Sequence, residues 1–365
     1  MPNPIVGHPK SAIETPAFLV DLDKLKHNIK MMADYFRDRP AKLRPHWKTP
    51  KTVEIAKMQL EAGAIGITCA KTTEAEILVD AGVKDILIAN EVVGPEKLAR
   101  LVGLNKRADV KCAVDDPEQA RAISAAAVAA GVTVGVVIDI MVGLPRCGVK
   151  MEDAPALAKV VASLPGLKLR GVMGYEGQIV NMDDEPRRRA EAEKSMGLLV
   201  GAAEGIRAAG LACEIVSGGG TGTYNISGAF PGVTEIQAGS YCLMDLKYDH
   251  LHLGFEKAVT ILTSVWSKAP ALPGWTITDA GMKTVTNEFG MPELIGVPGT
   301  KLVMLSEEHG HLVTEGGESP LKIGDKVELY PSHICTTINL HDRMHVVSDD
   351  EVVDVWEIKA RGKSQ

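Results

Sequence analysis

One lysine, in Arg44-Pro45-His46-Trp47-Lys48-Thr49-Pro50, ends an apolar run immediately before a helix-like segment. A lysine is nucleophilic only once its ammonium loses a proton, which desolvation and neighbouring cations favour, and it then condenses with an aldehyde. A strand-end lysine is otherwise a solvated surface charge, so its meaning depends on what surrounds it. The densest glycine cluster, Ser217-Gly218-Gly219-Gly220-Thr221-Gly222-Thr223-Tyr224, follows a strand-like run and offers bare N–H groups and hydroxyls suited to a phosphate. Gly239-Ser240-Tyr241, after the next run, adds a backbone donor, a hydroxyl and a phenol. Gly143-Leu144-Pro145-Arg146-Cys147-Gly148 delivers one arginine, either an ordinary turn cation or a fixed charge that keeps a nearby lysine unprotonated. Tyr175, in Gly174-Tyr175-Glu176-Gly177-Gln178, is either packing or a wall of the same site. Pro331-Ser332-His333-Ile334-Cys335 sets an imidazole and a thiol two residues apart. On a strand both would point the same way, as a metal with open coordination positions requires, or as a buried packing pair.

The elements that must position these residues alternate. Strand-like runs fall at 43–47, 64–70, 85–89, 110–114, 134–140, 168–173, 213–217 and 235–238. Amphipathic stretches at 52–62, 73–81, 95–104, 117–130, 154–164 and 186–209 lie between them, several opening on proline or an acid and closing at Gly63, Gly82, Gly131 or Gly210. Eight such units close most simply into a parallel (β/α)8 barrel of the TIM type, with its active site at the C-terminal strand ends; an open doubly wound sheet is the alternative. In a barrel, the glycine-rich loops after the seventh and eighth strands occupy the usual phosphate positions. Beyond about residue 248 the helical period disappears. Short runs at 258–265, 275–279, 301–305, 326–329 and 352–358, punctuated by glycine and proline, predict a mainly antiparallel β domain. A further strand is predicted over 13–21. The expected organisation is 1–22 as an N-terminal strand associated with the β domain, 23–248 as the cofactor-binding barrel and 249–365 as the C-terminal β domain.

Composition narrows the function class. Apolar residues at 45% and charged residues at 24%, with 36 glycines in 365 residues, suit an α/β enzyme scaffold. A net charge of −7 without a basic, aromatic-interleaved stripe argues against a nucleic-acid partner. The first ten residues lack the pattern of a secretory signal, and no run of about 18 apolar residues occurs, so a cytoplasmic protein with no membrane partner is expected. Six scattered cysteines without CxxC spacing read as reduced thiols.

Taken in order, RPHWKT at 44–49, AKTTEAE at 70–76, GLPRCG at 143–148, SGGGTGTY at 217–224, QAGSYCLMD at 237–245, SEEHG at 306–310 and SHICTTINLHD at 332–342 resemble the D-threonine aldolase and D-serine dehydratase family. These are fold-type III pyridoxal phosphate enzymes with an alanine-racemase-like barrel and a C-terminal β domain. The resemblance implies that Lys48 is the Schiff-base lysine and that Arg146 stands beside the cofactor's phenolic oxygen. Tyr175 would contact the ring. Ser217, Gly218, Gly219, Gly220 and Thr221, with Gly239, Ser240 and Tyr241, would bind the phosphate. His333 and Cys335 would hold a divalent metal (Zn, Mn or Mg), with His333 also counted among the catalytic residues. It further implies a homodimer with the active site at the subunit interface and a small D-3-hydroxy-α-amino acid as substrate. The family's aldolases generally carry HxD at the metal pair and glutamine at the position of Ala70, whereas HxC is typical of its dehydratases. A D-threonine-type aldolase is favoured, with a D-serine or D-3-hydroxyaspartate dehydratase as the alternative. An amino-acid racemase or a non-catalytic cofactor carrier would be further departures.

Overall fold

The computed structural model describes residues 4–365. The chain forms two compact units. One comprises the chain up to Met31 together with Thr49–Glu54 and Ser240–Gly362; the other comprises Met32–Lys48, Ile55–Gly239 and Lys363–Gln365. The sequence pattern places its boundaries at 22 and 248, whereas the units meet along the chain at Met31, Lys48, Glu54, Gly239 and Gly362.

In the chain's order the strands are β1 (Ala17–Asp21), β2 (Lys42–Leu43), β3 (Ile67–Cys69), β4 (Asp85–Glu91), β5 (Asp109–Val114), β6 (Val134–Asp139), β7 (Leu167–Met173), β8 (Ile215–Gly218) and β9 (Glu235–Ile236). The helices among them are α1 (Leu22–Phe36), α2 (Val53–Glu61), α3 (Thr72–Asp80), α4 (Pro95–Leu104), α5 (Pro117–Ala130), α6 (Ala154–Ser163), α7 (Glu185–Ala208) and α8 (Tyr224–Ser227). Strands β2 to β9 form one eight-stranded sheet in the order β2-β9-β8-β7-β6-β5-β4-β3, every pairing parallel. The two ends of that path are joined as well: Trp47 N–H donates to Thr68 O at 2.7 Å and Thr68 N–H to Pro45 O at 2.9 Å. The sheet is the parallel barrel expected.

Its strands read as continuous apolar runs because both faces are covered; all six residues of β6 are buried. Leu87, Ala113, Val137, Met173 and Ile215, one from each of β4 to β8, pack into a single core cluster. Helix α5 illustrates the local logic. The Asp116 side chain accepts from Glu118 N–H, Pro117 sits where no intrahelical donor is needed, and Gly131 ends the helix at φ +66°.

The first strand departs from expectation. The run 43–47 yields only Lys42–Leu43 as regular strand, because Pro45 has no N–H to give the ladder and Lys48 lies in a turn instead of at a strand end. At the opposite end of the strands, Arg44 pairs with Glu235 at 2.8 Å and with Asp85, while the fully buried Lys111 pairs with Asp85 at 2.8 Å and Asp109 at 2.9 Å. These acids open β9, β4 and β5, so an ion network fills the N-terminal end of the barrel.

The other unit carries β10 (Val259–Ser267), β11 (Trp275–Thr278), β12 (Glu293–Leu294), β13 (Thr300–Leu305), β14 (Gly310–Thr314), β15 (Lys326–Tyr330), β16 (Arg343–Ser348) and β17 (Glu351–Glu357), with short helices α9 (Leu246–Asp249) and α10 (Ile334–Thr337). With β1 they make a nine-stranded sheet along β13-β14-β11-β10-β1-β16-β17, β15 branching from β10 to β12. Pairing is antiparallel except where β1 runs parallel to β16. The strand expected over 13–21 begins only at Ala17, since Pro16 cannot donate to a ladder. Strands β12, β14 and β16 have no counterpart in the sequence reading: β12 is two residues long, and Arg343 and His345 interrupt the apolar run of β16. No helix of the described residues is long and apolar enough to cross a membrane.

Candidate active site

In the barrel unit the predicted residues converge on Tyr175. Lys48 Nζ lies 5.4 Å from the centroid of its ring and Arg146 Cζ lies 5.7 Å from it. Lys48 is half-buried, and its backbone N–H donates to His46 Nδ1 at 3.4 Å, which holds the turn that carries it. A Cβ on Gly220 would come within 3.3 Å of Tyr175 Cε2, a tight contact that glycine avoids, so the loop after β8 lies directly against the ring. Ser217, Gly218, Gly219, Gly220 and Thr221 are all buried.

That loop is not an open set of donors. Gly219 N–H donates to Glu176 Oε2 at 3.2 Å and Gly220 N–H to Thr223 Oγ1 at 3.1 Å, while Gln237 Nε2 occupies Ser217 Oγ at 2.9 Å. The N–H groups of Gly219 and Gly220 are thus engaged within the chain, so the loop holds its shape through its own bonds. The N–H of the buried Gly222 has no acceptor among the described residues. Glu176, 0% exposed, organises the loop from below: it also accepts from Thr223 Oγ1 at 2.7 Å and Ser227 Oγ at 2.8 Å. The sequence quoted Glu176 only as a neighbour of Tyr175, and nothing local in it shows that a buried carboxylate will find three donors more than 40 residues away.

Beside Arg146, at the ends of β4 and β6, Glu91, Asp139 and Cys147 bring three potential ligand atoms within 4.8 Å of one another. Burial lifts the Asp139 carboxyl to about 7, although Cys147 donates to it at 3.2 Å and Arg146 opposes the rise. Burial likewise pushes the Cys147 thiol up to about 12, helped by the carboxylate beside it.

In the other unit His333 and Cys335 do meet, by a different route from the one expected. They are not on a strand: His333 is the extended residue before α10, and Cys335 lies in its first turn. Asp245, fully buried, accepts from His333 Nδ1 at 3.0 Å and from Ile334 N–H at 2.9 Å. Thr49 Oγ1 lies 3.2 Å from Cys335 Sγ, and Ser240 Oγ lies 3.9 Å from it. Burial draws the His333 imidazole down, but the bonds to Asp245 and Cys335 outweigh it and hold the group up at about 9. Asp245 Oδ1 is buried without a hydrogen-bond partner. Asp245 was legible only as the last letter of QAGSYCLMD. A cavity of about 780 Å³ in this unit, lined by Phe18, Lys283, His341 and His345 among others, contains none of the residues singled out from the sequence.

Residues 20–246 match the alanine racemase N-terminal domain family, and residues 258–347 match the serine dehydratase domain family. The D-threonine aldolase of Arthrobacter sp is 39% identical over 98% of this chain and 96% of that protein. The chain belongs to the D-threonine aldolase and D-serine dehydratase family. It is an enzyme, a lyase of the pyridoxal-phosphate-dependent class that this family comprises. Among solved structures, the D-threonine aldolase from Filomicrobium marinum superposes with a TM-score of 0.95 at 36% identity, covering 99% of both chains. The D-threo-3-hydroxyaspartate dehydratase from Delftia sp. HT23 superposes at 0.88 with 31% identity, covering 96% of this chain and 98% of that one. A cysteine-to-alanine mutant of that dehydratase is described as the metal-free form.

The residues present fit pyridoxal phosphate: an amine and a guanidinium share one aromatic ring, and a glycine turn touching that ring holds a buried N–H that lacks an acceptor. A divalent cation suits the second group, where a buried carboxylate oxygen has no partner beside an imidazole and a thiol.

Proposed function

We propose that this enzyme cleaves D-3-hydroxy-α-amino acids between Cα and Cβ, giving glycine and an aldehyde, with Lys48 as the residue that anchors pyridoxal phosphate. The convergence of Lys48, Arg146 and the Gly220 turn on the Tyr175 ring carries the reading. When bound, the cofactor supplies an electron-withdrawing ring for the electrons released at Cα. Lys48 would hold it and move a proton at Cα. Arg146, with its planar guanidinium, would stand at its phenolic oxygen, and Tyr175 would form the floor of the site. Ser217 to Thr221, with Gly222 as the freest donor and Gly239, Ser240 and Tyr241 as the second loop, would bind the phosphate.

His333 and Cys335 would hold the divalent metal (zinc, manganese or magnesium), which would polarise the substrate's β-hydroxyl. With Nδ1 engaged by Asp245, His333 keeps Nε2 for that role. Dehydration to a keto acid and ammonia is the second reading, favoured by a thiol where the aldolases of the resemblance carry a carboxylate, and by the dehydratase relative. We further propose a cytoplasmic homodimer with its active site at the subunit interface; six free cysteines support a reducing compartment.

The test is product identification after incubating the purified, cofactor-loaded protein with D-threonine, D-serine and D-3-hydroxyaspartate. Glycine with acetaldehyde from D-threonine is expected. Keto acid and ammonia as the dominant products would transfer the assignment to dehydration, and α-epimerisation alone would refute both.

A further inference from the structure

The barrel unit holds a cluster of side chains that the proposed chemistry leaves unused. Glu91 ends β4 and Asp139 ends β6, so the parallel pairing of both strands with β5 brings the two acids to the same end of the sheet. Cys147 joins them from the loop that returns from Asp139. Met141 N–H donates to Val149 O and Val149 N–H to Asp139 O, both at 2.9 Å. Gly148 permits that return at φ +103°, with its N–H on Asp115 Oδ2 at 2.9 Å; a Cβ there would stand 2.7 Å from Met141 N. One ligand atom from each of Glu91, Asp139 and Cys147 then lies within 4.8 Å of the other two.

The cluster is short of donors and of positive charge. Asp139 is 2% exposed, and among the described residues its carboxylate has one hydrogen-bond partner, the Cys147 thiol at 3.2 Å. Glu91 Oε1 is buried without a hydrogen-bond partner. The neighbouring acid Asp115 is satisfied elsewhere, by Gly148 N–H and by the Gln119 amide at 2.8 Å. Arg146 draws Asp139 down electrostatically but bonds neither carboxylate among the described residues. Carboxylates buried together with so few donors need a positive partner between them. A proton shared by two oxygens would answer that need without any sulfur, whereas here a thiol completes the group.

We propose that Glu91, Asp139 and Cys147 bind a divalent cation of the zinc or cobalt type, in addition to any held by His333 and Cys335 and whatever the reaction catalysed. Bonds of about 2.0–2.3 Å set neighbouring zinc ligands roughly 3.3–3.8 Å apart, close to the 3.2 Å that already separates Cys147 Sγ from Asp139 Oδ2. Sulfur among the ligands selects against magnesium and calcium. Binding sends the thiol proton to solvent, so affinity rises with pH. Three protein ligands leave one position for water. The ion clasps the end of β4 to the loop that carries Arg146.

The experiment saturates the cofactor-loaded protein with zinc, removes loosely held metal and counts zinc per chain by plasma mass spectrometry. It compares the unchanged protein with C147A, E91Q, H333A and the H333A/C147A double variant, each shown to be folded by circular dichroism. C147A and E91Q should each hold about one zinc fewer than the unchanged protein, and the double variant about one fewer than H333A. Cobalt added to H333A should give a thiolate-to-cobalt absorption band that the double variant lacks. Zinc contents that respond to neither C147A nor E91Q, or a cobalt band that survives the loss of Cys147, would overturn the site. Failure of the His333 and Cys335 assignment shows separately, as a zinc content that H333A leaves unchanged while C147A still lowers it.

Discussion

Replacing Glu176 by glutamine tests whether the glycine loop is held from beneath by a buried negative charge. The carboxylate accepts from Thr223 Oγ1 at 2.7 Å, Ser227 Oγ at 2.8 Å and Gly219 N–H at 3.2 Å, and it is 0% exposed. An amide has the same shape but one acceptor fewer. With its oxygen toward the two hydroxyls, its NH2 group faces the Gly219 N–H, donor against donor. Turned over, the NH2 faces hydroxyls, and Thr223 Oγ1 already accepts from Gly220 N–H at 3.1 Å, so its own proton loses its acceptor. Either arrangement leaves buried donors unsatisfied, at about 1–3 kcal/mol each, and about 2–3 kcal/mol in total is a reasonable expectation. In a unit of this size that is a fall in Tm of roughly 4–12 °C. Because Gly219 and Gly220 are the residues displaced, pyridoxal phosphate should also bind about tenfold or more weakly, whatever the reaction catalysed. The assays are thermal unfolding of the cofactor-free protein and a cofactor titration followed by absorbance. An E176Q protein that melts within about 1 °C of the parent and binds the cofactor equally well would refute the reasoning. Ser227→Ala, which removes one donor and leaves the carboxylate two partners, should show a smaller loss in the same direction.

Borohydride reduction of the loaded protein followed by peptide mapping should place the pyridoxyl group on Lys48, and Lys48→Ala should abolish turnover while retaining the fold; an adduct on any other lysine contradicts the assignment. Exhaustive chelation should stop turnover without lowering Tm appreciably, His333→Ala should reproduce that loss, and Cys335→Asp should shift preference from zinc toward manganese or magnesium; full activity after chelation would remove the metal from the reaction. Arg44→Met strands the buried Glu235 carboxylate and should cost about 3–5 kcal/mol, measured by urea unfolding. Burial pushes Asp85 up, but Arg44 and Lys111 outweigh it and hold it below its ordinary 3.8, so this stabilisation is complete above that pH and is lost as the pH falls through the lower native value. The same variant should therefore also show a shallower decline in stability on acidification. Chiral analysis should show D-3-hydroxy substrates consumed and their L-isomers spared, and equal rates on both would point to racemisation.

The repeating units were legible because a parallel strand covered on both faces must be apolar throughout and each helix after it must be amphipathic, so the succession of strands and helices along the chain follows from periodicity. Helices α4 and α5 begin and end at the residues expected, since proline at the first turn of each, and glycine at the stop of α5, are local chemistry. Lys48 and Arg146 could be singled out because loops at one end of a barrel must face one mouth, whatever their separation in the chain, whereas a site role for Tyr175 came only with the family resemblance. What the tertiary structure alone decided is how donors are spent. A glycine run shows that N–H groups are exposed to something, but only the packed loop shows that Glu176 and Thr223 claim two of them and Gly222 keeps its own. The histidine–cysteine pair was visible, yet its support was not. Asp245 lies 88 residues before His333, and its contact depends on α9 docking against the turn into α10, a pairing that no local propensity encodes. The ion network around Arg44 and Lys111 was hidden for the same reason: a charge inside a strand reads as solvent-facing until the strands that carry its partners are brought alongside it.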